Sequence, residues 1–301
     1  MTHSDTVTVT AGRSTVAGTL FTPESADRPP VVVMGHGFAA RRHWGLPAFA
    51  ERFAEAGVAA LTIDYRGFGD SGGGPRRVVA AEKQRADIRA AIEYVRDRED
   101  LDGDAVGLWG MSYGGGHVLS LAATEDVQAV VATVPFTDGL RVAAQALQQG
   151  GTKYVRDMVL AVANDAGRML TGRDPYTVRV VGEPDDDAFA VLSTPGARDG
   201  FETMIPEDEL DDWPNRTAAR VLAEIPFNRP VTTAADVTVP VFVLEGTDDR
   251  IVPSTAIDRL VDELDDVHRL RVPAGHFEVL TGAIAPAVAD RQAQFLREHL
   301  R

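Results

Sequence analysis

Residues Ala105 to Gly116 read AVGLWGMSYGGG. A short apolar run gives way to Gly110-Met111-Ser112-Tyr113-Gly114 and then to small residues, the order expected of a strand, a sharp turn and a helix start. This is a G-x-S-x-G pattern, in which the central serine sits on the turn. A side chain at position 110 or 114 would crowd a turn this tight, and glycine takes backbone angles that other residues avoid. A serine held there points its hydroxyl out beyond the end of a sheet.

Working outward, the flanking chain supplies the rest of that sheet. Upstream, Pro29-Pro30 releases the continuous apolar run Val31-Val32-Val33-Met34, whose lack of alternation suggests a strand covered on both faces. It ends at Gly35-His36-Gly37-Phe38. Apolar residues then recur at helical spacing (Leu46, Phe49, Phe53, Ala56), with Gly57 where a helix C-cap belongs. A second buried strand, Val58 to Tyr65, leads into the glycine-rich segment Arg66 to Pro75, and Ala81 to Arg98 carries an amphipathic helix. Downstream, Tyr113 to Ala123 reads as a helix and Val127 to Pro135 as another apolar strand. At the start, Thr6–Thr10 and Ser14–Phe21 read as an antiparallel hairpin at the sheet edge. Strand and helix in alternation predict an α/β protein with a mostly parallel central sheet and helices on both faces.

The alternation stops over residues 136–236, a gap too long for a plain loop. This stretch reads as an inserted lid, helical over 140–149, 153–170 and 217–225, and loop-rich and acidic over 184–214. Alternation resumes with a strand at Val239–Leu244, a helix at Ser254–Leu264 with Ser254 as N-cap, a strand at His268–Val272 and a closing helix at Ala283–Leu300. Residues 1–135 and 237–301 therefore form one core domain, which the lid interrupts.

Composition narrows the function classes. The chain has 301 residues, 44% of them hydrophobic and 25% charged, enough to bury a sizeable core. Its formal net charge is −15, so its field repels nucleic acid and anionic membranes, and neither is expected as a partner. The acidic runs Glu183–Asp187 and Glu207–Asp212 read as solvated surface, a feature of a biased composition or of life in high salt. The opening MTHSDTVTVT lacks the basic start and apolar core of a signal peptide, no run approaches a bilayer span, and cysteine is absent. A cytoplasmic location is the default expectation. Gly67-Phe68-Gly69-Asp70-Ser71-Gly72 matches G-x-G-x-x-G, but Gly73, Gly74 and Pro75 delay the helix that a dinucleotide fingerprint needs, so it reads as a tight loop beside the site. No histidine pair has helical metal-ligand spacing, and no metal site is expected.

Ligands of open parallel sheets bind beyond the C-terminal strand ends. There the sequence places Ser112, then Glu245-Gly246-Thr247-Asp248-Asp249-Arg250-Ile251-Val252-Pro253, then Pro273-Ala274-Gly275-His276-Phe277. The other histidines lie near the termini, in a loop, at the wrong strand end, or, like His117, on the helix after Ser112 as a packed or surface side chain. Asp248 and Asp249 are adjacent, and position along the strand end does not separate them.

Gly110-Met111-Ser112-Tyr113-Gly114, His36-Gly37-Phe38, Asp64-Tyr65-Arg66-Gly67-Phe68-Gly69-Asp70-Ser71, Gly246 to Pro253 and Gly275-His276-Phe277 together resemble the α/β-hydrolase family, in the chain order Ser, Asp, His. The likeness covers most of residues 14–135 and 238–300. Within the family the chain is similar to the dienelactone-hydrolase-like and dipeptidyl-peptidase-like serine hydrolases that carry a helical lid. Dienelactone hydrolases themselves use a cysteine nucleophile, which this chain lacks. The resemblance implies Ser112 as nucleophile, His276 as general base, Asp249 (the third residue after Gly246) as its orienting acid, and the backbone amides of Phe38 and Tyr113 as oxyanion hole. It implies a carboxylesterase acting on a small ester through an acyl-enzyme, with no cofactor. Thioesters, lactones and peptide bonds yield to the same machinery, whereas epoxide hydrolases and dehalogenases would carry Asp where Ser112 stands. From a different class, a non-catalytic ligand-binding homologue would keep the fold and use the lid as a sensor surface. A lid is expected to set the acyl-chain preference, and both it and the edge strand are compatible with a homodimer.

Overall fold

In the computed structural model, which describes residues 2–24 and 27–300 and only the backbone at 149 and 150, the apolar runs form the middle of one sheet. The chain opens with β1 (Thr2–Ala11) and β2 (Ser14–Pro23), then β3 (Pro30–Gly35), α1 (Leu46–Glu55), β4 (Ala59–Ile63), α2 (Ala81–Arg96), β5 (Asp102–Met111), α3 (Tyr113–Ala122) and β6 (Ala129–Thr133). After the insertion come β10 (Val241–Gly246), α8 (Ser254–Glu263), β11 (Val267–Val272), α9 (Glu278–Thr281) and α10 (Ala285–His299). The eight strands lie in the order β1-β2-β4-β3-β5-β6-β10-β11. From β4 to β11 all neighbours are parallel, while β2 runs antiparallel to β4 and to β1, which closes one edge as a hairpin.

The unalternating strands are apolar because helices cover both faces: Val31, Val32, Val33 and Met34 of β3 and every residue of β6 are fully buried. Some of the polar groups sunk in this core pair with one another. Trp109 Nε1 donates to Gln292 Oε1 at 2.8 Å, and Gln292 Nε2 donates to Thr133 Oγ1 at 2.8 Å, joining β5, β6 and α10. A buried amide satisfied at both ends fixes the helix against the sheet where an unpaired one would cost stability.

Between β6 and β10 the insertion carries α4 (Gly139–Leu170), which is broken by non-helical Gly151 (φ 60°, ψ −158°) into the two helical pieces the periodicity indicates. It also contains a sheet that periodicity missed: β7 (Thr177–Val181) lies between β8 (Ala190–Leu192) and β9 (Arg216–Ala218). The two outer strands have three residues each, too few to show alternation. Short helices α5 (Ala197–Glu202), α6 (Glu207–Leu210) and α7 (Val221–Glu224) fill the remainder. The acidic run in α6 is not simply solvated: Glu209 accepts from Arg41 (2.8 Å), His43 (2.5 Å) and Trp44 (3.1 Å) of the loop after β3. Phe201 stacks on Trp213 with centroids 4.9 Å apart, and both meet Trp44 edge-on, so an aromatic cluster and one carboxylate tie the insertion to the core.

Ser254 is not the N-cap of α8. Pro253 occupies that place in extended conformation, and Ser254 is the first helical residue. Among the described residues no helix is long and apolar enough to cross a membrane.

Candidate active site

Sheet register brings the loops together. Gly35 lies opposite Gly110, Met111 opposite Thr133, Thr133 opposite Leu244, and Gly246 opposite Val272. Whatever follows each strand therefore emerges along one edge. Ser112 follows β5 with φ 53° and ψ −116°, a conformation that non-glycine residues adopt only when their surroundings enforce it. Two more such residues, Ala39 (φ 54°) and Val134 (φ 40°), share this edge. The constraint at Ser112 is visible: its amide donates to Thr133 O at 2.9 Å and its carbonyl accepts from Phe136 N at 2.8 Å. A Cβ on Gly110 would run into the Gly114 carbonyl, and one on Gly114 would lie 2.5 Å from the carbonyl oxygens of both Gly35 and His36. Glycine at 110 and 114 thus lets β5, α3 and the β3 loop close on the serine.

On the other side of the edge, His276 Nδ1 lies 2.7 Å from Asp249 Oδ2, both side chains nearly fully buried. The second carboxylate oxygen of Asp249 accepts the amides of Ile251 (2.7 Å) and Val252 (2.8 Å). A carboxylate only accepts, so Nδ1 carries the proton and the imidazole lone pair is on Nε2. Glu278 accepts the Gly275 amide at 2.8 Å and steadies the loop that carries His276. Asp248 is exposed and its amide donates to Ala274 O. The geometry thus pairs His276 with Asp249, where the sequence alone left two candidates.

The loop after β3 lies against the serine. A Cβ on Gly37 would be 3.5 Å from Ser112 Cβ, and the rings of Phe38 and Tyr113 meet edge-on at 5.6 Å. Tyr113 begins α3, where an amide has no intrahelical acceptor, and among the described residues no backbone carbonyl takes the Phe38 amide either. Asp64, fully buried, accepts the amides of Arg42 (2.8 Å) and Asp70 (3.1 Å) and pairs with the Arg42 guanidinium, bracing this loop against the one after β4. In the sequence Asp64 stands out only as part of a motif. Its partner 22 residues earlier carries no local signal.

Behind the serine lie two fully buried imidazoles. Burial holds His36 below its ordinary range, although the Asp64 charge works the other way, and burial holds His117 well below it, assisted by Arg85. Both therefore protonate less readily in the folded state than in the unfolded chain, where a histidine protonates near pH 6.5. The unfolded chain therefore binds more protons as pH drops through about 6.5, and stability falls there, by up to about 1.4 kcal/mol per pH unit for each histidine. Thermal melts across this window check it: His117→Gln should show a shallower acid slope than the wild type, and an unchanged slope would remove His117 from the explanation.

Above Ser112 opens a cavity of about 310 Å³. Phe38, Ser112 and Tyr113 lie on its core side, and the insertion supplies the opposite walls, including Leu147, Tyr154 and Met158 of α4. Among the described residues no charged side chain lines it. Sequence reading could not find it, because its walls come from segments far apart in the chain.

Comparison with known proteins agrees with this architecture. Residues 14–278 match the family model of the X-Pro dipeptidyl-peptidase (S15 family). The chain is 32% identical over 279 residues to the quorum-quenching protein AidA of Acinetobacter baumannii (strain MDR-ZJ06), spanning 92% of this chain and 89% of AidA. Among solved structures it is similar to DcsB in complex with its substrate analogue (TM-score 0.84, 21% identity, 99% of this chain and 100% of that one). It is likewise similar to the α/β hydrolase GrgF from Penicillium sp. sh18 (TM-score 0.80, 22% identity, 100% and 99%). At these identities the two structures speak for the fold alone. The eight-stranded sheet and the match over residues 14–278 together show that this chain is an α/β hydrolase and belongs to the X-Pro dipeptidyl-peptidase (S15 family).

Proposed function

We propose that the protein is a serine carboxylesterase, cleaving small esters through an acyl-enzyme. One observation supports this reading: Ser112, on its strained turn, opens into a cavity of about 310 Å³ in which no charged side chain among the described residues takes part. A dipeptidyl substrate would bring a terminal ammonium into such a chamber, where an unpaired charge is costly. A neutral acyl group meets no such penalty. At the ~30 Å³ that each water-sized group occupies, the cavity holds about ten non-hydrogen atoms.

In the first step His276 Nε2 takes the Ser112 proton as Oγ attacks the carbonyl carbon. Asp249 holds the imidazole in the useful tautomer and stabilises its cation. Negative charge develops on the carbonyl oxygen, where the Phe38 and Tyr113 amides serve as donors that need not reorganise. Collapse breaks the bond to the leaving oxygen, which receives the proton from His276. Water, deprotonated by the same nitrogen, then releases the acid and restores Ser112.

A panel of p-nitrophenyl esters from acetate to decanoate tests both parts of the reading, with Ser112→Ala as control. The expected result is a kcat/KM that rises to roughly six to eight acyl carbons and falls once the chain exceeds the cavity. Activity equal in wild type and Ser112→Ala, or absent across the panel, would defeat it.

A further inference from the structure

A second cavity, of about 380 Å³, adjoins the first and shares Phe136, Val142 and Val252 with it. The shared wall is bonded to the catalytic groups themselves: the Phe136 amide donates to the Ser112 carbonyl at 2.8 Å, and the Val252 amide to Asp249 Oδ1 at 2.8 Å. Its lining differs in kind from that of the apolar chamber. Asp138, Arg141, Gln145 and Gln148 line it, with Thr137 and Thr255 beside them.

Charge at this cavity favours an anion. Asp138 is buried and already occupied: it accepts from Arg229 Nε (2.9 Å) and Nη2 (3.0 Å), from Arg259 Nη1 (2.8 Å) and from the Leu140 amide (3.1 Å). Arg141 stands 3.9 Å from the same carboxylate, beyond hydrogen-bond reach, with its side chain 61% exposed. Three guanidiniums thus face one carboxylate; of the three, Arg141 lines the cavity, and the carboxylate that would neutralise it is already bonded to the other two. Among the described residues the Arg141 guanidinium makes no hydrogen bond, and a guanidinium fork matches a carboxylate bidentately.

We propose that the second cavity is the leaving-group subsite and receives a carboxylate carried on the alcohol or thiol side of the substrate, with Arg141 as its cation and Gln145 and Gln148 as neighbouring donors. This rests on the esterase reading of Ser112, since without a scissile bond at Ser112 there is no leaving group to place. The preferred substrate is then amphiphilic, with an apolar acyl group in the first cavity and an anionic leaving group that reaches past the shared residues into the second.

Matched esters test it: 3-(hexanoyloxy)benzoate against 3-(hexanoyloxy)benzamide, which share acyl group and shape and differ in charge. Wild-type kcat/KM should favour the benzoate by about tenfold at low salt, a preference that shrinks as salt screens the exposed guanidinium. Arg141→Glu should invert the ratio, and Arg141→Gln should bring it close to one. A wild-type ratio at or below one, or a ratio that neither variant moves, overturns the subsite. Calorimetric binding of 3-hydroxybenzoate and 3-hydroxybenzamide to wild type and Arg141→Glu gives a readout free of chemistry. Selective binding of the benzoate, lost in the variant, with no ester turned over would defeat the esterase reading and the leaving-group assignment with it, and would uphold only a carboxylate site at Arg141. Turnover without selectivity would uphold the esterase reading and defeat the subsite.

Discussion

Ser112→Ala is expected to fold as the wild type does and to lose ester turnover by about 10⁴-fold or more. The substitution removes one oxygen and leaves every other element of the site in place. The alanine amide and carbonyl can still bond to Thr133 and Phe136, and the turn is held by contacts that do not involve the hydroxyl. What goes is the atom proposed to form the acyl bond. Water could still attack a carbonyl polarised by the Phe38 and Tyr113 amides, so a small residual rate is expected above that in solution. Circular dichroism and a thermal melt confirm the fold, and pre-steady-state release of p-nitrophenol should show a burst in the wild type alone.

Nearly as large an effect follows from Asp249→Asn, for a reason visible in the hydrogen bonds. Oδ1 of Asp249 accepts two backbone amides, from Ile251 and Val252, while Oδ2 faces His276. An asparagine keeps its carbonyl oxygen toward the two amides, since its NH2 group cannot accept them. That choice turns the NH2 toward Nδ1 of His276, which must then accept, and moves the ring proton to Nε2. The nitrogen that should take the serine proton is already protonated. A loss of about 10³- to 10⁴-fold in kcat/KM is expected, with little change in stability. Asp248→Asn, exposed and unpaired with the histidine, should remain within about twofold of wild type, within the noise of a surface change. Equal losses in the two variants would contradict the assignment of Asp249.

The parts of this molecule that were legible in its sequence are those that repeat locally or recur as short motifs. The apolar runs at Val31–Met34 and Ala129–Thr133 announce strands buried on both faces, and the residues that end them sit at one sheet edge because parallel register leaves no other place for them. The glycines at 110 and 114 announce a close approach, and the contacts they avoid are those of a turn closing on Ser112.

Illegible were the features made by residues far apart. Glu209 belongs to an acidic run whose sequence suggests only solvated surface, yet Arg41, His43 and Trp44 converge on it from more than 160 positions away. Asp138 looks like an ordinary loop residue until Arg229 and Arg259 meet it. The three-residue strands β8 and β9 exist because β7 offers them ladder partners, which propensity cannot foresee. Both cavities have walls drawn from the insertion and from strand ends, so their size and polarity emerge only when the chain is folded.

The most direct measurement is covalent. A fluorophosphonate ester mixed with the wild-type protein, followed by intact mass determination and peptide mapping, reads the nucleophile without reference to any natural substrate. Serine-hydrolase chemistry at this site gives one adduct per chain, carried by the peptide that contains Ser112, with labelling slowed in Asp249→Asn and absent in Ser112→Ala. An adduct on any other residue, or steady ester turnover by a protein in which Ser112 stays unlabelled, would contradict it.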